Sequence, residues 1–272
     1  MGYLGREDAP ISADLWAQID STVIENAKQH MVCRRFLNIY GPLGAGASYV
    51  AVDSPAKTEE YGHNMARVTG RKLVELPQLY QDFDILWRDV AEADKTGFPL
   101  DLAAAAHAAQ KSAKQEDDLI LFGDKELGVE GLMNATGAHV IKRGDWSTGE
   151  DAYKDVAHAI AYLSSNSMLG RYALVVSPDV YLDLQRLQPN VGLLEIDRIK
   201  KLVNDRVYPA GTFGLGKAVL VCAEPQYMDL AIGMDLSVGY LEQKEFNHAF
   251  RITETAALRI KNPKAIVIFE KK

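Results

Sequence analysis

Tyr49-Val50-Ala51-Val52 and Ala66-Arg67-Val68, two short β-prone pieces on either side of a polar tip at residues 53–64, decide how this chain is read. Between Ser48 and Leu76 there is almost nothing to bury, and a two-stranded ribbon of that kind is marginal alone in water. Residues 48–76 are therefore either a mobile loop or a ribbon whose packing a neighbouring subunit supplies. The residues alone leave both readings open.

Upstream, Ser12 is placed to cap a helix. Leu15, Ile19, Val23, Ala27 and Met31 follow at i,i+4 spacing with Trp16 beside them, opposite a polar face of Gln18, Asp20, Glu25, Lys28 and Gln29. Gly41-Pro42-Leu43-Gly44-Ala45-Gly46 then breaks the chain before the ribbon. Downstream, a strand is expected over 79–87, with Tyr80 and Trp87 read as core residues in preference to an aromatic platform for a flat ligand. An Ala-rich helix over 101–122, whose small side chains let backbones approach closely, stops at Gly123. A further helix over 150–164 turns Ala152, Val156, Ile160 and Leu163 inward, and a buried strand covers 172–176. Ser177-Pro178 opens a helix correctly. Gln188-Pro189-Asn190-Val191-Gly192 separates that helix from another over 194–203. Strands are expected at 218–222, 230–233, 250–255, 258–260 and 266–269. Helices and strands interleave without a βαβ rhythm, so the fold class is α+β.

The formal net charge of −7 argues against a nucleic-acid partner, which a basic field would attract. Two cysteines, Cys33 and Cys222, stand far apart without metal or redox spacing, which fits a reducing compartment. There is no apolar signal core near residue 1 and no run of about 20 apolar residues, so the cytoplasm is expected and a membrane partner is not.

A search for chemistry returns little. Gly211-Thr212-Phe213-Gly214-Leu215-Gly216-Lys217 carries half of a phosphate-loop pattern, but Ala218 stands where the hydroxyl belongs and a strand follows where a helix should. Ser54-Pro55-Ala56-Lys57 and Lys95-Thr96-Gly97 are read as chance matches to serine acyltransferase motifs. The six histidines are scattered without ligand spacing. Glu116-Asp117-Asp118 is read as a solvated charge run, whereas Glu254, between apolar strand residues, needs a partner, expected to be a structural ion pair. No catalytic residue, cofactor or metal is expected, and the chain is read as not an enzyme.

Read end to end, the sequence resembles the encapsulins, nanocompartment shell proteins formerly described as linocin-type bacteriocins (family 1 encapsulin). The resemblance is carried by Trp16-Ala17-Gln18-Ile19-Asp20, Arg34-Arg35-Phe36 and Gly41-Pro42. It continues in Phe122-Gly123 to Gly131-Leu132, Gly233-Met234-Asp235-Leu236-Ser237-Val238-Gly239-Tyr240, Ile252-Thr253-Glu254-Thr255 and Asn262-Pro263-Lys264-Ala265.

What the resemblance implies is the tailed-phage major capsid protein fold. Residues 1–47 would be an N-terminal helix and arm on the inner face, and 48–76 the extended loop overlapping a neighbour. Residues 77–131 and 225–272 would be the peripheral domain with its long spine helix, and 132–224 the axial domain. Its partners would be copies of itself, on the order of sixty or a multiple, and a cargo protein. The family's usual cargoes are a dye-decolourising peroxidase or a ferritin-like iron-storage protein, captured through a C-terminal targeting peptide. The positions matching the family's peptide groove are Ile24, Ala27, Lys28, Met31, Arg34, Asn38, Asp235, Leu236, Ser237 and Tyr240. Gln188, Pro189, Asn190, Val191 and Gly192 would form a largely uncharged five-fold pore. The alternatives are a phage head protein, which would usually carry a scaffolding segment, a secreted bacteriocin or protease, and a nucleotide-dependent enzyme using 211–217.

Overall fold

A computed structural model describes residues 2–52, 57–61, 65–69, 72–188 and 192–271, with only the backbone at 57–61 and 65–69. Helix α1 (Ala13–His30) begins as its sequence demands, with the Ser12 hydroxyl accepting the Leu15 N–H at 3.2 Å. Trp16, Ile19, Val23 and Ala27 form its buried face, and Asp14 and Lys28 complement the helix dipole at either end. After β1 (Ile39–Tyr40) the chain leaves the body as two successive antiparallel ribbons. In one, β2 (Tyr49–Val52) pairs with β5 (Lys72–Glu75). In the other, β3 (Lys57–Tyr61) pairs with β4 (Met65–Thr69). Val50 and Leu76 seat the base of this arm on Ala231 and Ala257, while Tyr49 and Leu73, each 61 % exposed, face away from the body.

Strand β6 (Gln78–Ile85) returns to the body, and α2 (Trp87–Thr96) follows, an element the sequence does not announce beyond the strand expected over 79–87. No residue of α2 is fully buried, and Val90 packs only partly against the core beside α1 and α3. Tyr80 and Trp87 are half exposed rather than in the core. Arg251 covers the Tyr80 ring at 4.1 Å, and Trp87 meets Phe246 edge-on. Helix α3 (Ala103–Phe122) is the Ala-rich helix, and Gly123 stops it at φ +66°. A Cβ there would meet the Val129 carbonyl oxygen at 2.2 Å, so only glycine fits.

Two small strands, β7 (Gly123–Asp124) and β8 (Val129–Glu130), lead to a second unit. It contains β9 (His139–Arg143), α4 (Asp151–Ser165), β10 (Tyr172–Val176), α5 (Pro178–Asp183), α6 (Glu195–Leu202), β11 (Val207–Pro209) and β12 (Ala218–Cys222). The chain then makes a long hairpin of β13 (Met228–Lys244) and β14 (Asn247–Ile260) and ends in β15 (Ile266–Lys271). The hairpin closes through Glu245 and Phe246, both at positive φ, the turn geometry that matches strand twist. The sequence reading had broken this hairpin into three short strands.

Strands β1-β13-β14-β6 make one sheet, with Trp16, Phe83 and Phe250 among the core side chains between it and α1 and α3. Strands β11-β10-β12-β15-β9 make the other, whose central β12 is buried at all five positions. The resemblance implies a peripheral domain that takes in all of 225–272. β15 instead pairs with β12 and, in parallel, with β9, so it belongs to the second sheet. The glycine turn at 211–217 opens that sheet's strand β12 and not a helix. Lys217 lies over the Phe122 ring at 4.5 Å instead of facing a phosphate cradle.

Candidate functional site

Where α1 ends, Met31 caps the helix and a 3-10 turn, Cys33–Arg35, reverses the chain onto α3. The Asp117 carboxylate fixes the turn by accepting the Val32 N–H at 2.8 Å and the Cys33 N–H at 2.9 Å. Burial pushes this carboxyl up to about 6, against the lowering effect of those two donors. Burial, reinforced by Asp117, also raises the Cys33 thiol well above its ordinary range, which makes it an inert core group.

Arg34 projects from the same turn into a cluster of three carboxylates. Its Nε and Nη2 donate to Glu116 at 2.8 and 2.5 Å, Nη2 also donates to Glu254 at 2.8 Å, and Nη1 reaches Asp235 at 2.7 Å. Glu116 and Glu254 are fully buried, while Asp235 sits at the exposed rim. Burial, then the proximity of Glu116, hold Glu254 well above the usual carboxylate range in spite of Arg34. Burial opposes the charge on Arg34, but hydrogen bonding to Glu116 and the field of its carboxylates outweigh it and raise the guanidinium pKa. The pair expected for Glu254 is therefore present. Glu116 and Asp117, read from the sequence as solvated, are instead buried and bonded.

The expected peptide-groove positions fall into three groups. Ile24, 41 % exposed, and Lys28 stand on the outer face of α1. Across from the turn, Asp235 accepts the Leu236 N–H at 2.9 Å, Ser237 donates to the Asp235 carbonyl at 2.8 Å, and Leu236 and Tyr240 are half-buried along β13. Ala27 and Met31, by contrast, are spent inside the protomer's own core, because the 3.6-residue period turns them to the same side as Ile19 and Val23. Asn38 is committed as well: it donates to the Ala223 carbonyl at 3.1 Å and accepts from Arg171 at 2.7 Å.

The chain's own beginning reaches this strand. The 3-10 turn Gly2–Leu4 lies against it so closely that a Cβ on Gly239 would meet the Leu4 carbonyl oxygen at 3.0 Å. Arg6 anchors the segment to α1 through Asp20 at 2.5 Å and the Trp16 ring at 4.1 Å. No signal in the sequence pointed to this contact, since residues 2–6 lack any periodic pattern.

Of the expected pore positions, Pro189, Asn190 and Val191 lie outside the described residues. The Gln188 amide is engaged within the protomer. It is buried, donates to the Gly149 carbonyl and accepts from Arg198. Gly192 has φ +69° and open space around it. Among the described residues no three His, Cys, Asp or Glu side chains are arranged to hold a metal, and no helix is long and apolar enough to cross a membrane.

A projecting ribbon arm, a long helix across a four-stranded sheet and a second mixed sheet define the class: this is the fold of tailed-phage major capsid proteins. The capsid of Myoviridae phage XM1 superposes with a TM-score of 0.66 at 15 % identity, over 89 % of this chain and 92 % of that one. A virus-like particle from Pyrococcus furiosus superposes with a TM-score of 0.77 at 20 % identity, over 95 % and 100 %. Within that class the chain belongs to the encapsulin shell family. The family model described as "Encapsulating protein for peroxidase" matches residues 1–257. The type 1 encapsulin shell protein EncA of Myxococcus xanthus is 39 % identical over 98 % of this chain and 96 % of its own length.

Proposed function

We propose that this chain is the repeating unit of a closed protein shell in the cytoplasm, on the order of sixty copies or a multiple, which encloses a cargo enzyme and performs no chemistry itself. One observation carries the reading: a lone protomer is left with too much surface. It exposes 14473 Å², whereas a compact monomer of its 30.0 kDa would expose about 11,700 Å². Copies of the same chain are the partners that cover this excess, with the arm laid over a neighbour and the second unit, 132–224 together with the last strand, gathered about a five-fold axis with 188–192 at its pore.

Cargo would be held in the trough between α1 and β13. Ile24, Leu236 and Tyr240 offer apolar contact, and Lys28 and the Arg34–Asp235 rim offer polar anchorage. A short C-terminal peptide bound there need not bind tightly, because a multimeric cargo meets many sites at high effective concentration. The family description favours a peroxidase as guest. A dye-decolourising peroxidase or a ferritin-like iron-storage protein is the cargo class we assign.

Negative-stain electron microscopy after size-exclusion chromatography tests the shell: uniform hollow particles are expected, and a monomer at neutral pH would overturn it. Co-expression with a peptide-tagged cargo tests the groove. Ile24→Glu should leave particles intact but empty, since Ile24 carries no core contact. Undiminished loading would place the peptide elsewhere. Met31 is unsuitable for this test, because a charge there would be driven into the core.

A further inference from the structure

On the far side of the turn at Cys33–Arg35 lies a pocket of about 590 Å³, walled by the end of α1, one face of α3 and the first residues of the glycine turn at 211–217. His107, Lys111 and Lys114 recur at i, i+4 and i+7 on α3, so their side chains stack along one wall. His30, the last residue of α1, and Arg35, in the turn that follows, also line the pocket. Both are held: the Asn26 carbonyl lies 2.8 Å from His30 Nδ1, and the Gln29 carbonyl accepts from Arg35 at 2.7 Å. Three cationic side chains, Arg35, Lys111 and Lys114, and two histidines thus line one pocket in a protein whose net charge, with histidine neutral, is −7.

Two further features point to what would fill it. The Thr212 hydroxyl at the pocket's edge is buried and has no hydrogen-bond partner, an arrangement that leaves a donor without a use. Val32, Pro209 and the aliphatic stems of the lysines supply apolar wall, so the site is larger and greasier than a bare oxyanion requires. The acidic group in the lining, Asp117, faces away in function: both its oxygens are engaged by the Val32 and Cys33 backbone N–H groups.

We propose that this pocket binds a small phosphate-bearing anion, its oxygens met by Lys111, Lys114, Arg35 and the Thr212 hydroxyl and its organic body lying against Val32 and Pro209. This is not the phosphate-loop reading of 211–217. Only Gly211 and Thr212 of that turn take part, and no hydrolysis is implied. Nor does it depend on shell assembly, since every wall belongs to one protomer.

The test is equilibrium binding of adenosine monophosphate, inorganic phosphate and adenosine to the purified full-length protein at low ionic strength. Adenosine monophosphate is expected to bind at least about tenfold more tightly than adenosine, the difference one charge-assisted contact makes. Inorganic phosphate binding as well as the nucleotide would assign the site to free phosphate, and weaker binding to a phosphate monoester. Either result supports the proposal. The pair Lys111→Gln and Lys114→Gln, at exposed positions, should weaken the nucleotide by more than about tenfold. Thr212→Val should do so by about threefold or more without changing the dependence on salt. Lys142→Gln, on β9, should change nothing. Equal binding of adenosine and its monophosphate, no binding at millimolar ligand, or affinity unchanged in the lysine variants would overturn it.

Discussion

Glu254 carries the most consequential titration among the buried groups. In the folded chain burial and Glu116 hold its carboxyl well above the usual carboxylate range, whereas in the unfolded chain it ionises within that range. The folded state therefore binds the extra proton, and the stability contributed by Glu254 is full below its unfolded pKa and is lost as pH rises toward its folded one. Glu254→Gln removes that dependence while keeping the side chain's shape. The free-energy gap between wild type and Glu254→Gln is expected to move in favour of the variant by about 1.4 kcal/mol per pH unit above roughly pH 4.5. Guanidinium unfolding at a series of pH values reads it directly, and a gap independent of pH would show that Glu254 is ionised in the fold. Asp117, whose carboxyl burial pushes up to about 6, is present in both proteins, so its titration cancels. Arg34→Ala is a harsher change. It strands Glu116 without a counter-charge in the interior, and should cost about 3–5 kcal/mol in the same assay.

The arm shows how an element can be determined at its root and left unsatisfied at its face. Arg259, almost fully buried, donates to both Asp229 oxygens at 2.6 Å and to the Ala51 carbonyl at 2.9 Å, with the Tyr40 ring 3.8 Å from its guanidinium. It thereby ties β2 to the hairpin of β13 and β14. Arg259→Met should free the arm's base while leaving the body folded, because Lys261 remains 2.9 Å from Asp229. The expected result is unchanged secondary structure by circular dichroism, faster proteolytic cleavage in 48–76 and a smaller yield of particles. Full particle yield would show that the arm is positioned by its neighbour alone. The sequence made this arm legible by what it lacked, an apolar face of its own. Helices α1 and α3 were legible through periodic apolar or small residues. Helix α2 was not, since none of its residues is fully buried, and neither was the hairpin's continuity, since Gly233 and Asp235 stand at bulges that interrupt the alternation of β13. In the site, Glu254 could be singled out because a charge between apolar strand residues demands a partner, whereas Arg34 was marked only by the family resemblance. Which carboxylates would meet Arg34 was not legible, because Glu116, Asp235 and Glu254 come from segments 82, 201 and 220 residues away.

At the scale of the whole molecule, closed symmetry multiplies every surface residue by the number of copies, so modest contacts suffice for assembly and modest damage defeats it. Leu182, Leu187 and Leu215 stand 71, 66 and 84 % exposed around the second sheet, on α5, just after it, and on the turn before β12. None contributes to the protomer's own core, so a neighbouring copy that covers them gains the free energy of their burial. Covering one leucine is worth about 1.5–3 kcal/mol, which corresponds to roughly a tenfold to hundredfold change in the concentration at which copies associate. Replacing Leu182 and Leu215 together with glutamate removes that gain and adds a charge to be desolvated at each contact. The double variant should therefore stay folded by circular dichroism yet elute as protomers or small oligomers at concentrations where the wild type forms particles. If particles form at the same concentration as wild type, the apolar rim of the second sheet is not a contact surface. Assembly would then rest on the arm and the first sheet alone, and the combined variant Tyr49→Glu and Leu73→Glu would be the one that abolishes it.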